Sequence, residues 1–393
     1  MPGALEGLKI LDFTTLLPGP YATMCLADMG ADVLRIVSGS RPDLADHLPP
    51  MISELKLSAA SAYLGRNKRL MTLNLKDPRA VEIIHLLLSD YDIVVEQFRP
   101  GVMAKLKLDY ERLKAVQPSV IYCSITGYGQ TGPMRDRAGH DINYIARSGL
   151  ASYSGKKDSG PCLMGMQIAD VASGSYNAII GILAAAMYRR STGRGQYIDI
   201  SMTDGMLAFN ALFGAGFLTD GKLPGFEDGL LNGGSLYDYY ETKDGRYISF
   251  GGIEPQFFTN FCNAIKRPDI IPGGISPKHL PRVKQEIREI ILTRTLDEWV
   301  SVFKLTDACV EPVMTLSEAF SDPQAKEREA VVELALPGGG KVRQPANPIK
   351  FSVTKPVYKK VGSAAGGHTK DVLNELGFND SEIEEFERTG LFS

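Results

Sequence analysis

Two titratable side chains in the first half of the chain have sequence surroundings that suit proton transfer. His140 lies in the segment GHDINY, which follows the glycine-rich loop GYGQTGP, and Asp170 lies in the apolar stretch MGMQIADVASGS. A histidine that follows a loop at a strand end, with Asp141 and Asn143 as polar neighbours, is a candidate acid or base. A carboxyl group among apolar side chains has a raised pKa, which also suits a proton carrier.

Each candidate also has a structural interpretation. A single histidine is more often a hydrogen-bonded structural group than a catalyst, and Asp170 precedes a long predicted helix, where an acid can be the N-cap. Glu254, in the segment GGIEPQF, follows a predicted strand and two glycines and has the same two interpretations. The pattern alone leaves both open for all three residues.

Basic side chains are concentrated at the predicted ends of strands. Arg66, Lys68 and Arg69 precede one strand, Lys76 follows it, and Arg99 follows the next strand in the segment FRPGV. Loops at strand ends are where open α/β sheets bind ligands, and proline makes the mount of Arg99 rigid enough to bind phosphate through two hydrogen bonds. A run of charges is otherwise typical of a solvated face.

Familiar nucleotide motifs are missing from the first strand–helix turn, and familiar catalytic motifs are missing from the sequence. The segment Gly19–Tyr21 joins a predicted strand to a helix and could offer N–H groups to an anion, but a tight turn is the interpretation that its pattern favours. This segment lacks the GxGxxG pattern of dinucleotide binding and the GxxxxGKS pattern of a P-loop, the sequence has no GxSxG or HExxH segment, and its five histidines are dispersed. We therefore expect no metal site.

Composition narrows the class of partner. Lysine and arginine total 43 against 46 acidic residues, a net charge of −3, so the chain has no basic field to attract nucleic acid or an anionic membrane. Five cysteines without a CxxC pair fit a reducing cytosol. No uninterrupted apolar run reaches the roughly 18 residues that span a bilayer. We expect a soluble, cytoplasmic protein that binds a small molecule, with no nucleic-acid or membrane partner.

Hydrophobic periodicity predicts an α/β fold in the first half of the chain. Strands at Leu8–Phe13 and Asp32–Val37 flank a helix at Tyr21–Met29, which makes a βαβ unit. The alternation continues with strands at Leu70–Leu75, Ile93–Glu96, Val120–Ile125 and Gln196–Met202, and with helices at Pro78–Ser89 and Ser175–Arg190. This order is typical of a mostly parallel sheet.

The second half predicts a smaller, mixed domain. A glycine-rich stretch from Gly214 to Gly234 is interpreted as a linker, and Tyr237–Glu241 with Arg246–Phe250 forms a predicted hairpin. Helices containing Trp299 and Leu316–Phe320 follow. The helical segments Lys370–Leu376 and Asp380–Glu387 are too few to fold alone, so we expect the tail to return to the first domain.

These segments together resemble the family III CoA-transferases and, within them, the alpha-methylacyl-CoA racemase branch. In the order of the family, the matching runs are LPGPYATMCLADMGADVLRI, LNLK, FRPGVMAKL, GYGQTGP, GHDINY, IADV, TGRGQ, DGRY, GGIEPQF and TDACVEPV. They extend over nearly the whole chain. Several runs are too long for chance to explain them.

The resemblance implies an α/β fold made of a Rossmann-like large domain and a smaller α+β domain. The implied boundaries are a large CoA-binding domain over 1–205, a linker over 206–225, the small domain over 226–330, and a linker with a C-terminal return over 331–393. Such chains form an interlocked homodimer. The active site would lie between the large domain of one subunit and the small domain of the other.

The resemblance also implies roles for the catalytic candidates. Asp170 matches an aspartate that is a nucleophile in the transferases and a general acid or base in the racemases. His140 matches the racemase pattern, which the transferases typically lack. The backbone N–H of Asp141 would bind the thioester oxygen, and Glu254 would hydrogen-bond His140 and fix its tautomer.

The CoA moiety would be the only cofactor-like group, with no metal. The implied CoA-binding residues are Arg35, Leu73, Asn74, Leu75, Lys76, Arg99, Gly139, Asn143 and Tyr144. The chain departs from the racemase pattern at Ser38, where an arginine is usual, and at Met166, where an amide is lost near the substrate.

Three functions follow from these residues. The leading hypothesis is a racemase or epimerase of 2-methylacyl-CoA thioesters, because His140 and Asp170 supply two proton carriers. The second is a CoA-transferase that moves CoA between carboxylic acids through an aspartyl-CoA intermediate. The third is a non-catalytic acyl-CoA-binding protein.

Overall fold

A computed structural model describes residues 3–39, 43–272 and 276–392. Its strands are β1 (Lys9–Asp12), β2 (Asp32–Val37), β3 (Met51–Ile52), β4 (Leu57–Ser58), β5 (Arg69–Thr72), β6 (Ile93–Glu96), β7 (Ile121–Thr126), β8 (Gly155–Lys156), β9 (Gly160–Pro161), β10 (Tyr197–Ser201), β11 (Asp238–Glu241), β12 (Tyr247–Phe250), β13 (Val310–Pro312), β14 (Val331–Ala335) and β15 (Lys341–Pro345). Its α-helices are α1 (Pro18–Asp28), α2 (Ala59–Leu64), α3 (Pro78–Leu87), α4 (Val102–Lys105), α5 (Tyr110–Val116), α6 (Asp141–Arg147), α7 (Tyr176–Thr192), α8 (Met202–Ala208), α9 (Phe213–Asp220), α10 (Pro255–Ala264), α11 (Leu280–Ile291), α12 (Leu296–Phe303), α13 (Leu316–Ser321), α14 (Pro323–Glu327), α15 (Thr369–Glu375) and α16 (Asp380–Arg388).

The central sheet has six parallel strands in the order β10-β7-β6-β1-β2-β5. β6 and β7 are buried along their whole length, as expected for strands covered on both faces. The chain adds strands to one side of β1 as far as β5, then crosses to the other side with β6. The predicted α/β fold with a parallel sheet is confirmed, and the homodimer stays a prediction.

The chain divides into two compact units. Unit 1 contains residues 1–148, 164–209 and 324–393, and unit 2 contains residues 149–163 and 210–323. The predicted large domain runs without a break through 149–163, whereas the structure assigns that segment to unit 2. The C-terminal segment belongs to unit 1.

Unit 2 has its own core. Its antiparallel sheet has the order β11-β12-β13, so the predicted hairpin forms between Asp238–Glu241 and Tyr247–Phe250. Phe250, Phe261 and Phe303 stack in sequence with Trp299 behind them. Aromatic side chains bury large areas each, which lets so small a unit enclose a core.

The C-terminal segment is attached to the sheet edge of unit 1. The backbone N–H of Leu70 donates to His368 Nδ1 at 3.1 Å, and the N–H of Thr72 donates to Thr369 Oγ1 at 3.0 Å. Val372 and Leu373 pack in the same hydrophobic core as the strands. These contacts cover β5, which would otherwise be an unprotected edge strand.

The predicted linker contains more regular structure than its glycine content indicates. α9 spans Phe213–Asp220 and ends at Gly221, which has a φ of +75°. Glycine lowers helix stability but does not forbid a helix where apolar neighbours such as Phe217 and Leu218 favour it.

The helical span Ala169–Thr192 is long and apolar enough to cross a membrane by length and composition alone. It consists of a π-helical segment, Ala169–Ser175, followed by α7. Ala178, Ile182 and Ala185 are fully buried, and the helix packs on the sheet strands β7 and β10. One side of the helix is therefore buried against the sheet, while 39% of its most apolar 18-residue window is buried in all.

Arg66 and Lys68, in the basic run before β5, do not form a solvated face. Arg66 is fully buried, forms a two-bond ion pair with Asp28, and lies between the rings of Tyr63 and Tyr358. Lys68 is also buried, and its ammonium group donates to Asp12, to the Pro20 carbonyl oxygen and to Thr23. Because buried charges must be paired, these residues hold the structure together.

Candidate active site

A cavity of about 670 Å³ opens at the carboxyl ends of the sheet strands of unit 1. The loops after β1, β2, β5 and β6 line it, with Thr15, Ser38, Asn74, Lys76, Gln97 and Arg99 among the lining residues. The loops after β1 and β6 leave the sheet at the point where the strand order reverses. Open α/β sheets bind their ligands at such a switch point.

The predicted CoA-binding residues divide into two groups. Arg35, Asn74, Leu75, Lys76 and Arg99 line this cavity. Leu73 is fully buried in the hydrophobic core, so only its backbone is near the cavity wall. Gly139, Asn143 and Tyr144 are not among the lining residues described and lie instead around His140.

Arg35 and Arg99 differ in what their guanidinium groups do. Arg35 pairs with Asp43 at 2.5 Å and donates to the Thr14 carbonyl oxygen at 3.1 Å. Arg99 is exposed and has no ion-pair partner within the described residues. Arg99 is therefore the arginine whose donors are available to an anionic ligand, whereas Arg35 joins two loops of the wall.

The loop that carries Arg99 is held from two directions. The buried Glu96 carboxylate accepts the backbone N–H of Phe98 at 2.8 Å, and Gln97 Oε1 accepts the N–H of Gly19 at 3.0 Å. The N–H of Gly19 is thus already bonded, which removes it from the donors available to an anion. Burial raises the pKa of Glu96 to about 7, against the opposing bonds from Ser124 and Phe98.

His140 is the N-cap of α6. Its backbone N–H donates to Asn143 Oδ1 at 3.0 Å, and its side chain is exposed. Helix α6 begins at Asp141, so the N–H of Asp141 has no acceptor within the helix. This N–H is the donor that the sequence assigned to the thioester oxygen.

Tyr144 packs the GHDINY turn against the preceding glycine loop. Its hydroxyl donates to the Gly139 carbonyl oxygen at 2.5 Å, and its ring makes an edge contact with Tyr128. A Cβ added at Gly127 would lie 2.4 Å from the Tyr144 ring, and one at Gly139 would lie 2.7 Å from it. Glycine at these two positions allows the close packing that holds His140 in place.

Asp170 is the second residue of the π-helical segment, and it is not an N-cap, since Ile168 occupies that position. The structure thus excludes the capping interpretation. The pKa of its carboxyl group is raised to about 6, first by burial and second by the negative charge of Asp141, while His140 opposes the rise. The Asp141 carboxylate also accepts the backbone N–H of Asp170 at 3.0 Å, so the start of α6, where His140 is the N-cap, contacts the Asp170 segment.

Glu254 lies in unit 2 at the N-cap of α10, with its side chain exposed. It makes no capping hydrogen bond to a backbone group of the described residues, so the plain capping interpretation does not account for it. Its predicted hydrogen bond to His140 stays a prediction.

No group of three or more histidine, cysteine, aspartate or glutamate side chains that could hold a metal ion occurs in residues 3–39, 43–272 or 276–392. The site residues described are a histidine, two carboxyl groups, a free helix N–H and one unpaired arginine. Such a set can move protons and bind an anion.

Sequence reasoning missed two contacts at the site. The Gln97 side chain joins the loop after β6 to the start of α1, and the Asp141 carboxylate bonds to the backbone at Asp170. In the sequence, each contact was visible only as a side chain with an acceptor oxygen next to a functional residue. The sequence does not show which N–H group that oxygen accepts.

This fold and cavity place the protein in the class of doubly wound α/β proteins, which bind small ligands at a switch point of the sheet. Comparison with known proteins narrows the class. The chain belongs to CoA-transferase family III, whose family description matches residues 5–369.

Relatives of two activities are equally similar to the chain. It is 33% identical to an alpha-methylacyl-CoA racemase of Homo sapiens over 383 residues, 97% of this chain and 95% of that protein. It is also 33% identical to a succinyl-CoA:glutarate CoA-transferase of Mus musculus over 396 residues, 98% of this chain and 90% of that protein. Identity alone therefore does not choose between the two reactions.

A solved structure agrees with the family assignment. The crystal structure of a CAIB/BAIF family protein from Brucella suis superposes with a TM-score of 0.83 at 28% identity, covering 96% of this chain and 100% of that chain. The fold that the sequence predicted is thus a known fold of this family.

Proposed function

We propose that the protein is a racemase or epimerase of 2-methylacyl-CoA thioesters. The observation that carries this proposal is that Asp141, the residue after His140, accepts the backbone N–H of Asp170 at 3.0 Å, which brings the segments of two groups able to carry a proton together in unit 1. A transferase needs the carboxylate as a nucleophile and has no use for a second proton carrier beside it.

The reaction moves one proton off the α-carbon and another onto it. One of the two groups removes the α-proton on one face of the substrate, and the electron pair of the C–H bond moves into the thioester as an enolate. The N–H of Asp141, at the start of α6, stabilises the negative oxygen. The other group then donates its proton to the opposite face, which inverts the configuration.

Exchange with solvent restores the protonation states of His140 and Asp170 after each turnover. A carboxyl group with a pKa of about 6 is suited to this task, because both its forms are accessible near neutral pH. That Glu254 fixes the tautomer of His140 stays a prediction from the family resemblance. No metal takes part in these steps, so a chelator is expected to leave turnover unchanged.

The CoA moiety would occupy the cavity at the switch point. Its volume of about 670 Å³ is within the range of ligand pockets. Arg99 would bind a phosphate group, and the Asn74–Lys76 backbone would hold the nucleotide end.

We further propose that the protein acts as a homodimer. The outer side of α7 exposes Ile180 and Met187, which are 63% and 70% exposed, and α8 exposes Leu207 at 60%. Large apolar side chains exposed in this number favour association with a second surface. Light scattering is expected to give twice the chain mass, and the double variant Ile180→Lys/Met187→Glu is expected to shift the protein toward the monomer.

A CoA-transferase is the second candidate, favoured by the equal identity to a succinyl-CoA:glutarate CoA-transferase. In that reaction Asp170 attacks the thioester carbonyl and CoA later attacks the aspartyl anhydride, so a covalent aspartyl-CoA thioester forms. His140 would then have no chemical role.

One experiment separates these functions. The protein is incubated with 2-methylacyl-CoA in deuterium oxide, with and without a carboxylate acceptor, and both the acyl-CoA and the intact protein are weighed by mass spectrometry. We expect deuterium at the α-carbon and no protein adduct. An adduct without α-deuterium would establish the transferase, and tight binding with neither would establish a binding protein.

A further inference from the structure

The carboxylate of Asp141 bonds to the backbone of the segment that carries Asp170. Its Oδ1 accepts the N–H of Ala169 at 2.6 Å and the N–H of Asp170 itself at 3.0 Å. Asp141 precedes these residues by 28 and 29 positions and belongs to α6, so the contact joins two separate elements.

This contact satisfies a local need of the π-helical segment. Ala169 and Asp170 are its first two residues, and the first N–H groups of a helical segment have no acceptor within it. A neutral acceptor such as asparagine would satisfy the same two donors. Capping therefore explains an acceptor at position 141, but it does not explain a charged one.

The charge acts on the Asp170 side chain. The negative charge of Asp141 is the second cause, after burial, of the raised pKa of Asp170, and His140 opposes both. The other titratable groups on the elements packed against this segment are Tyr21, Cys25 and Asp28 on α1, Tyr144 and Arg147 on α6, Tyr176, Tyr188, Arg189 and Arg190 on α7, Tyr197 and Asp199 on β10, and Asp204 on α8. None of them is among the charges that act on the Asp170 carboxyl group.

We propose that the Asp141 carboxylate is a positioning residue for Asp170: by accepting the N–H groups of Ala169 and Asp170 it fixes the turn that presents the Asp170 side chain, and it places a negative charge beside that turn. This role rests on the proposed function of Asp170 as a proton carrier. Asp141 thus has two separate tasks, because its N–H serves the thioester oxygen while its side chain serves Asp170.

Two substitutions separate geometry from charge. Asp141→Asn keeps an oxygen acceptor and removes the charge, so the acid limb of the pH profile of kcat is expected to move to lower pH by about one unit. Asp141→Ala removes the acceptor as well, and kcat is expected to fall by roughly 10- to 100-fold with KM changed by less than about 3-fold. Asp136→Asn removes an exposed charge from the preceding loop and is the matched control.

A measurement that needs no turnover tests the same point. The side-chain carboxyl of Asp170 is titrated by ¹³C NMR in protein labelled at aspartate, and the signal is assigned by its loss in Asp170→Asn. We expect Asp141→Asn to lower its midpoint and Asp136→Asn to leave it unchanged. A wild-type midpoint and pH profile in Asp141→Asn would overturn the inference.

The two tests also separate this inference from the proposed function. A protein that labels no α-carbon in any acyl-CoA but shows the shifted midpoint would lose the racemase assignment and keep the positioning role. If the wild type racemises its substrate but the midpoint of Asp170 is unchanged in Asp141→Asn, the proposed function stands and the positioning role of Asp141 is wrong.

Discussion

Gln97 Oε1 accepts the backbone N–H of Gly19 at 3.0 Å, and this bond joins the loop after β6 to the first turn of α1. The two loops leave the sheet on opposite sides of its switch point. The bond therefore closes the wall of the cavity beside Arg99, where the ligand is expected to bind.

Replacing Gln97 with alanine is expected to weaken binding of CoA by about 1 kcal/mol, the usual net worth of one hydrogen bond, because the loop that carries Arg99 loses a support. Calorimetric titration with free CoA measures this. Gln117→Ala, a change at a glutamine outside the cavity wall, is the control. Equal affinities of the Gln97 variant and the wild type would show that the bond does not position the loop.

Arg99→Ala is expected to weaken CoA binding by about 1.5 to 3 kcal/mol, the range for hydrogen bonds to charged groups, irrespective of the acyl chain. The same titration measures the loss. Arg112→Ala removes an exposed arginine that pairs within its own helix region and is the matched control. An unchanged dissociation constant would limit Arg99 to a structural role.

His140→Ala is expected to lower the rate of epimerisation by roughly 10² to 10⁴-fold, the usual worth of a positioned acid or base, with CoA affinity nearly intact. The imidazole is exposed at the N-cap of α6, so its removal leaves no buried cavity. Chiral analysis of the acyl group and calorimetry measure the two quantities. If this variant keeps the wild-type rate, the racemase assignment is wrong and the CoA-transferase becomes the leading hypothesis.

Glu96 is expected to make stability depend on pH. Burial raises its pKa from 4.5 to about 7, so the folded state favours the protonated carboxyl group. Its contribution is fully present below pH 4.5 and is lost as the pH rises through about 7. The loss is on the order of 3 kcal/mol, from about 1.4 kcal/mol per pKa unit.

Urea unfolding of the wild type and of Glu96→Gln at pH 5 and pH 8 measures this loss. The variant is expected to lose less stability than the wild type between the two values, because glutamine does not titrate. Glu111→Gln, at an exposed glutamate, is expected to behave as the wild type. Parallel curves for the wild type and Glu96→Gln would contradict the prediction.

Asp28→Ala is expected to destabilise the fold by about 3 to 5 kcal/mol, because it leaves the guanidinium of Arg66 charged and buried without its partner. Asp269→Ala breaks an ion pair with the same two-bond geometry to Arg267, but that aspartate is exposed. An exposed pair is worth at most about 1 kcal/mol, so the two variants should differ clearly in urea midpoint. Similar midpoints would show that the buried pair adds little.

The short apolar runs of the sequence, which alternate with helical segments, were sufficient to predict the strands of the sheet. The predicted strands at Asp32–Val37 and Ile93–Glu96 have the observed bounds, and Val120–Ile125 differs by one residue from the observed Ile121–Thr126. Buried parallel strands are runs of β-branched residues, a signal contained within a few consecutive positions.

Side-chain partners far apart in sequence were not predictable. The basic run before β5 looked like a solvated face because the acids that pair with Arg66 and Lys68, Asp28 and Asp12, lie on other elements. The helix at Phe213–Asp220 was not predicted, because its glycines made the segment look like a linker.

The sequence by itself determined the residue types and the local elements that carry them: a histidine at a helix start, an acid in an apolar turn, an arginine on a proline loop. Only the tertiary structure decided which of them act together. Four strand ends meet to form one cavity, and the Asp141 carboxylate bonds to a backbone 28 residues later. Local propensity depends on neighbours along the chain, whereas a raised pKa and a shared hydrogen bond depend on burial and on groups that only folding brings together.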